Sequence, residues 1–319
     1  MKQSLRLQGA CTCLIAWLAA GCASQPTETM VDFDEEALRN TDQDVFFATE
    51  FPVASKEEAL ERAAKAREAG DVDKTLFFYV KALKFDPTDA DLLAQIGIVH
   101  EYQGNDQLAA RAYSLALEAD PDFAAVLEAR GLLLLRHDEV KRARTDLEQA
   151  VAIDPTLWRA HNGLGLIADG AGAHEAALEH YDHALEINRM SGELYNNRGY
   201  SKFLSGDEEG AEADLKFAAE TYDYNRAKVN LGKLYASRGQ YRLAVDMLRE
   251  VLPQHAAFNK VAETAMQQAD YSAAESLLKE AIRISPTYFP EAEQNLVELR
   301  QLMSLKQASN STQVPAIRD

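Results

Sequence analysis

Side chains that could take part in chemistry are few in this sequence of 319 residues, and three histidines form the first group. His174, His180 and His183 lie close together, and the spacing of the last two places them on one face of a helix. Such a pair can hold a metal ion, but a stable site also needs a third ligand and residues that orient the ligands. We therefore predict no metal site and no cofactor.

Two further patterns imitate a nucleotide-binding motif and a catalytic motif. Gly163, Gly165 and Gly170 resemble a phosphate-binding loop, but no strand pattern precedes them. Ser276 and Lys279 have the spacing of a serine–lysine nucleophile pair, but they lie in a helical pattern without any sign of an oxyanion site. The acidic residues include no pair that stands out as acid and base. These observations predict a protein that is not an enzyme.

A periodic pattern accounts for most of these residues. Glycine recurs at one constant spacing, and alanine follows each of these glycines at the same two offsets. The positions are Gly97, Gly131, Gly165, Gly199, Ala109, Ala143, Ala177, Ala211, Ala116, Ala150, Ala184 and Ala218. Small residues at fixed spacing let two antiparallel helices approach closely. The pattern predicts helix hairpins that must stack, because one hairpin alone buries too little apolar surface.

The segment from Ala90 to Phe123 has a glycine, a turn glycine, alanines, an aromatic residue and a terminal proline at spacings that resemble the tetratricopeptide repeat. The resemblance implies an all-α tetratricopeptide-repeat superhelix of about seven hairpins with a C-terminal capping helix, over residues 56–305. Successive repeats are expected to start at Lys56, Ala90, Ala124, Trp158, Gly192, Asn225 and near His255. Repeat six is expected to be shortened, because Gly232 comes one position earlier than the pattern requires and Pro253 interrupts helix.

The N-terminus has the features of a secretory signal. Lys2 and Arg6 precede an apolar run at residues 11–20, which is too short to span roughly 30 Å of hydrocarbon. The next residues, Ala-Ala-Gly-Cys at 19–22, resemble a bacterial lipobox. This resemblance implies that residues 1–21 are removed, that Cys22 is lipidated, and that the chain faces the periplasm from the outer membrane. An ordinary signal peptide with an incidental cysteine remains the alternative.

Two terminal segments are predicted to lie outside the repeats. Residues 22–55 are polar and acidic, and we interpret them as a lipidated N-terminus and flexible tether with a root-mean-square span of about 30 Å. The aromatic residues Phe46 and Phe51 could instead dock on the first repeat or on a partner. Residues 306–319 are predicted to form a disordered tail.

The charge of the chain excludes one class of partner. The formal net charge is −18, and an acidic chain of this kind is repelled by nucleic acid. We therefore expect no nucleic-acid partner and a membrane contact only through the acyl anchor.

The first helix of each repeat is expected to line the groove of the array, and its polar residues are the candidates for partner binding. The predicted binding residues are Arg159, Asn162, Asn196, Asn197, Tyr200, Phe203, Arg226, Asn230 and Lys233. Asparagine amides can pair with the backbone of an extended peptide, and the basic residues favour a peptide with acidic groups or a free carboxylate end. The alternative is structural, with asparagine at helix caps and tyrosine in core gaps.

A finer resemblance concerns three segments, namely residues 195–200 (Tyr-Asn-Asn-Arg-Gly-Tyr), the shortened repeat six, and residues 283–289 (Arg-Ile-Ser-Pro-Thr-Tyr-Phe). These are similar to the lipoproteins of Tad (Flp) pilus assembly, the family that includes TadD. The resemblance implies a membrane-anchored scaffold that binds a secretin segment and supports assembly or outer-membrane targeting of the pilus secretin. Two alternatives remain: a pilotin of another secretin system, or a periplasmic adaptor that delivers substrates to a protease or cell-wall enzyme.

Lipidation of Cys22 can be tested by the substitution Cys22→Ser. Because the anchor would be lost with the sulfur atom that carries it, we expect the variant to move from washed membranes to the soluble periplasmic fraction. Immunoblotting of the two fractions measures this. A variant that stays in the washed membranes would contradict the lipid anchor.

Overall fold

The computed structural model describes residues 52–311, with side chains to residue 306. The predicted signal, Cys22, Phe46, Phe51 and the end of the tail from residue 312 therefore lie outside the described residues. All regular elements in the described part are α-helices. The chain forms two compact units, Met1–Gly163 and Leu164–Asp319.

The helices follow one another in antiparallel pairs. Unit 1 contains α1 (Lys56–Glu68), α2 (Val72–Leu83), α3 (Ala90–Tyr102), α4 (Asp106–Ala119), α5 (Ala124–Arg136), α6 (Val140–Ile153) and the start of α7 (Trp158–Gly170). Unit 2 contains the rest of α7, α8 (His174–Ile187), α9 (Gly192–Ser205), α10 (Glu208–Tyr222), α11 (Asn225–Ser237), α12 (Tyr241–Leu248), α13 (Gln254–Gln267), α14 (Tyr271–Ile284) and α15 (Pro290–Ser311).

The first helices begin where the sequence repeats were expected to start, with a difference of one residue at α13. Short polar side chains fix several of these starts. Asp89 Oδ1 accepts a hydrogen bond from Leu92 N at 3.0 Å, and Ser191 Oγ accepts one from Leu194 N at 3.3 Å. These caps satisfy backbone donors that have no partner within the helix. The predicted all-α repeat architecture is confirmed.

In hairpins two to six, a large side chain of the second helix packs on a glycine of the first helix, whereas hairpins one and seven have Ala63 and Ala262 at this position. In unit 2, a Cβ atom added to Gly165 would lie 2.5 Å from Tyr181 Cε1, and one added to Gly199 would lie 2.9 Å from Leu215 Cγ. Tyr181 and Leu215 are both fully buried. The small residues found in the sequence therefore allow the close helix crossing that the repeat pattern predicted.

Polar contacts alternate from one hairpin to the next with a period of two repeats. In unit 1, Tyr113 donates a hydrogen bond to Glu101 at 2.8 Å in the second hairpin, whereas Arg130 forms a bidentate pair with Asp146 at 2.7 and 2.9 Å in the third.

Unit 2 has the same two contacts in the fourth and fifth hairpins. Tyr181 donates to Asp169 at 3.0 Å, and Arg198 pairs with Asp214 at 2.8 and 2.7 Å. The structural unit that recurs in this part of the chain is thus a pair of hairpins.

The sixth hairpin is shortened, as predicted. Its second helix, α12, has eight residues, whereas α10 has 15 and α14 has 14. The position of the break differs from the prediction, because α12 ends at Leu248 and Pro253 caps the start of α13. Val251 and Leu252 lie between them, partly buried in a turn. Pro253 favours extended backbone in the residue before it, so the chain must leave the helix ahead of it.

Both ends of the array differ from the predicted boundaries. At the N-terminus, Val53 of the predicted tether packs against the core of the first hairpin. At the C-terminus, α15 buries Ala292 and Leu299 as a capping helix but continues to Ser311, so residues 306–311 are helical and not part of a disordered tail. Neither glycine nor proline interrupts residues 291–311, which explains the extension.

Within residues 52–311, no helix combines the length and the apolar character required to cross a bilayer.

Two glycines of α7 provide a matched test of close packing. Gly165→Ala places a methyl group against the buried Tyr181 ring and should cost about 1–3 kcal/mol of unfolding free energy. Gly170→Ala meets no atom within 4 Å and should be neutral or stabilising by less than about 1 kcal/mol. Urea unfolding of both variants measures this. Equal stabilities of the two variants would show that the crossing of α7 and α8 does not require a residue without a side chain at position 165.

Candidate functional site

The structure places the predicted binding residues on first helices, in both units. In unit 1, Arg159 is exposed with its guanidinium 5.0 Å from the Trp158 ring centroid, and Asn162 is buried. The other seven lie in unit 2. Asn196, Asn197, Tyr200 and Phe203 are on α9, and Arg226, Asn230 and Lys233 are on α11.

The asparagines of α9 and α11 bind one another. Asn230 Nδ2 donates to Asn196 Oδ1 at 2.9 Å, and Asn196 Nδ2 donates to Asn197 Oδ1 at 3.0 Å. Asn196 has only 4% of its surface exposed. This corrects the expectation of an open ladder of amides, because the amide of Asn196 links two helices and satisfies buried polar groups there.

A second chain of amides continues the pattern in α13 and α15. Asn295 Nδ2 donates to Asn259 Oδ1 at 3.0 Å, and Asn259 Nδ2 donates to Glu263 Oε1 at 3.1 Å. Asn295 was not among the residues predicted from the sequence to bind a partner. Asn295 is the sixth residue of α15, as Asn259 is of α13. This shared position in the helix could have predicted Asn295 from the sequence.

An aromatic pair lies beside the first amide chain. Tyr200 and Phe203 are half-buried, with ring centroids 6.2 Å apart and planes inclined by 45°. The ammonium of Lys233 lies 5.4 Å from the centroid of the Tyr200 ring, within the range of a cation–π contact. Burial raises the pKa of Tyr200, with a further contribution from Asp169, so this phenol stays protonated at neutral pH. We call the surface formed by Asn197, Tyr200, Phe203, Asn230 and Lys233 the α9–α11 face.

Among the basic residues of these helices, Lys233 and Arg226 have no carboxylate partner among the described residues, and of these two only Lys233 is half-buried. Burial lowers the pKa of Lys233, and the charge of nearby Lys260 lowers it further. Arg198 on α9, by contrast, pairs with Asp214 and with Asp182 at 2.6 Å. A desolvated ammonium without a counter-ion attracts an anionic ligand strongly, because little water screens the charge.

The chemical candidates of the sequence have ordinary structural environments. His174 Nδ1 lies 2.9 Å from Asp169 Oδ1, which also accepts from Ser201 Oγ at 2.7 Å. Ser276 is exposed, and Lys279 on the same helix pairs with Glu275 at 2.7 Å. Over residues 52–306 the side chains include no group of three or more histidine, cysteine or acidic residues arranged to hold a metal ion.

Antiparallel hairpins stacked with a constant sequence period define a helical-repeat protein. A model of the tetratricopeptide repeat family matches residues 95–157 and 129–191, within which many of the glycine and alanine positions described above fall. Residues 95–191 of the chain therefore contain tetratricopeptide repeats.

Several known proteins are similar to this chain in sequence or in fold. BBSome complex member bbs-4 of Caenorhabditis elegans is 28% identical over 172 residues, which cover 53% of this chain and 37% of that protein. A solved tetratricopeptide repeat protein of Parabacteroides merdae is 18% identical with a TM-score of 0.56, covering 77% of this chain and 98% of that chain. The solved APC/C hetero-tetramer Cut9-Hcn1 is 18% identical with a TM-score of 0.56, and the match covers 80% of this chain and 51% of that chain.

These similarities have a limited reach. The chain spans less than two fifths of the length of the curated relatives that it matches. The two solved structures share the fold at a low sequence identity. These similarities therefore identify the repeat and the fold, but they do not determine the role of this chain, because one fold serves many functions.

The unpaired ammonium of Lys233 can be tested through stability. Its lowered pKa means that folding penalises the charged form, so the penalty is full at neutral pH and disappears as the pH rises above the ordinary lysine value of 10.5. We expect Lys233→Met to raise the free energy of unfolding at pH 7, and this gain to shrink toward pH 10.5.

The matched control is Lys228→Met on the same helix. Lys228 pairs with Asp223 and Glu250 at 2.5 and 3.0 Å, and its pKa is raised, so its removal should not stabilise the fold. Urea unfolding at several pH values compares the two variants. A loss of stability in Lys233→Met at pH 7 would show that the ammonium is already satisfied in the fold.

Proposed function

We propose that this chain is a non-enzymatic scaffold that binds a segment of a partner protein on the α9–α11 face. The observation that carries the proposal is Lys233, a half-buried ammonium with no carboxylate partner in residues 52–306. Keeping such a group costs stability, and residues that lower stability are commonly retained for binding.

The chemistry of the face favours an extended peptide with an acidic group or a free carboxylate end. Lys233 offers the positive charge, and the neighbouring Tyr200 and Phe203 offer apolar surface. Asn197 and Asn230 remain half-buried, so their amides can still reach a peptide backbone. Arg226 is exposed on the same helix as Lys233 and adds attraction for acidic side chains.

The proposed location is the periplasmic side of the outer membrane, with the chain held by acyl groups on Cys22. This location rests on the lipobox resemblance at residues 19–22. A tether of about 30 Å would hold the repeat array away from the bilayer surface. A partner that assembles in the same membrane would then be within reach.

The proposed partner is a subunit of a Tad (Flp)-type pilus secretin, whose assembly or outer-membrane targeting the scaffold supports. Three sequence segments support this choice, including residues 195–200, which contain Asn196, Asn197 and Tyr200. The relative from Caenorhabditis elegans is itself named as a member of a protein complex, which is consistent with an assembly role. Periplasmic delivery to a protease or cell-wall enzyme, or a pilotin role in another secretin system, would use the same face with a different partner.

Photo-crosslinking in the native host tests this proposal. A photoreactive residue replaces Tyr200, and mass spectrometry identifies what it traps, in wild-type background and with Lys233→Met. We expect a secretin subunit to be trapped and the yield to fall with Lys233→Met, because the anionic group of the segment loses its counter-ion. The control places the photoreactive residue at the exposed Arg144 in unit 1.

Each outcome of the crosslinking experiment decides a different part of the proposal. Trapping of a protease or cell-wall hydrolase would replace the secretin role by the adaptor role. Equal yields from Tyr200 and Arg144, or a yield unchanged by Lys233→Met, would show that the α9–α11 face is not the binding site.

A further inference from the structure

The short helix α12 leaves a cleft between α12, α13 and α14. Two cavities of about 540 and about 270 Å³ adjoin there, and Phe258 and Leu277 line both of them. Helix α12 ends at Leu248, so the residues that would continue it alongside α14 turn away toward Pro253. We call this surface the short-helix cleft.

The floor of the short-helix cleft is apolar and supported from beneath. Phe258 on α13 and Leu277 on α14 are half-buried, and each packs against the two buried core clusters of this part of unit 2. Val245 on α12 is buried beside them and lines the smaller cavity. A floor held by two cores keeps its shape, so that an apolar group entering the cleft meets preformed contacts.

The rim of the short-helix cleft is basic in a chain that is acidic overall. Four basic and two acidic side chains line the two cavities, a local balance of +2 against a net charge of −18 for the chain. They are Arg242, Arg249, Lys279, Arg283, Asp246 and Glu280. The carboxylates of residues 52–306 provide no ion pair for Arg242. An acidic partner is therefore favoured at this surface.

One ion pair at the rim is weak enough to open. Arg249 Nη1 lies 3.3 Å from Asp246 Oδ1, and both side chains are about half exposed. Exposed pairs of this kind contribute about 0–1 kcal/mol. Arg249 can therefore exchange Asp246 for a carboxylate of a ligand at little cost.

We propose that the short-helix cleft binds an acidic segment of a partner protein, which inserts an aromatic or leucine side chain between Phe258 and Leu277. Acidic residues on either side of the inserted residue then face Arg242 and Arg249, whereas Arg283 is already paired with Glu280 at 2.7 and 2.5 Å. A phosphate-rich ligand such as nucleic acid fits less well, because it would leave the apolar floor uncovered and would be repelled by the chain as a whole.

The short-helix cleft is distinct from the α9–α11 face. Its residues lie on α12, α13 and α14, and it includes none of the residues proposed above for peptide binding. The chain thus has two binding surfaces in unit 2, and substitutions can disable either one separately.

Selection from a displayed library of random dodecapeptides on the purified full-length protein tests the short-helix cleft. The protein used for selection carries Lys233→Met, so that the α9–α11 face is weakened. We expect the recovered peptides to have two or more acidic residues around an aromatic residue or leucine. A recovered peptide is then synthesised with a fluorophore, and its dissociation constant is measured by fluorescence anisotropy.

Charge-reversed variants locate the site of the recovered peptide. Arg242→Glu with Arg249→Glu should weaken binding about tenfold, because two repulsive rim charges replace attractive ones. Leu277→Ala should also weaken binding, while circular dichroism verifies that the helices are intact. The matched control is Arg67→Glu with Arg144→Glu, two exposed arginines of unit 1, which should leave affinity unchanged.

Several results would overturn the proposal. Peptides without acidic residues, or no enriched peptide at all, would contradict the stated partner chemistry. Equal affinity for wild type and for Arg242→Glu with Arg249→Glu would place the binding elsewhere. An equal loss with the control pair would show a non-specific effect of net charge.

Discussion

The contact between a helical glycine and one large side chain is the constraint on which this structure depends. Gly97 and Gly131 in unit 1, and Gly165 and Gly199 in unit 2, have no room for even a methyl group, since Tyr113, Leu147, Tyr181 or Leu215 occupies that space. The partner alternates between tyrosine and leucine, and the polar contacts alternate with it. Tyrosine brings a hydroxyl that binds Glu101 or Asp169, whereas the leucine hairpins are joined by arginine–aspartate pairs.

The periodic features of the fold were predictable from the sequence. A constant repeat length fixes which residues meet at a helix crossing, so helix starts, the shortened sixth hairpin and the capping helix were all expected. The breaks were less predictable, because Pro253 was expected to end a helix and instead begins α13, and because α15 continues to Ser311. The residue at which a helix ends depends on helix propensity and on local packing. A repeat pattern carries no information about either at the helix ends.

The candidate site was predictable only in part. Residue type and helix face identified Asn196, Asn230 and Lys233, but their roles depend on neighbours that are far away in the sequence. Asn196 accepts a hydrogen bond from Asn230, 34 residues later in the sequence, so its amide is already engaged within the fold and does not serve a ligand. Lys233 is half-buried and has no carboxylate partner among residues 52–306, although the chain has 51 acidic residues. No sequence motif predicted the short-helix cleft, because the cleft results from the short length of α12.

The two buried cores of unit 2 meet within α13, the helix that follows the short α12. One buried core extends from Ala211 to Val261 and the other from Ala262 to Leu299, and among the described residues Tyr241, Phe258 and Leu277 pack against both. In a stack where each hairpin touches only its neighbours, a segment can unfold locally at a lower free energy than the whole chain. Opening of α13–α15 would withdraw Ala257 and Val261 from the first core, so amide hydrogen exchange in α13 reports on both cores.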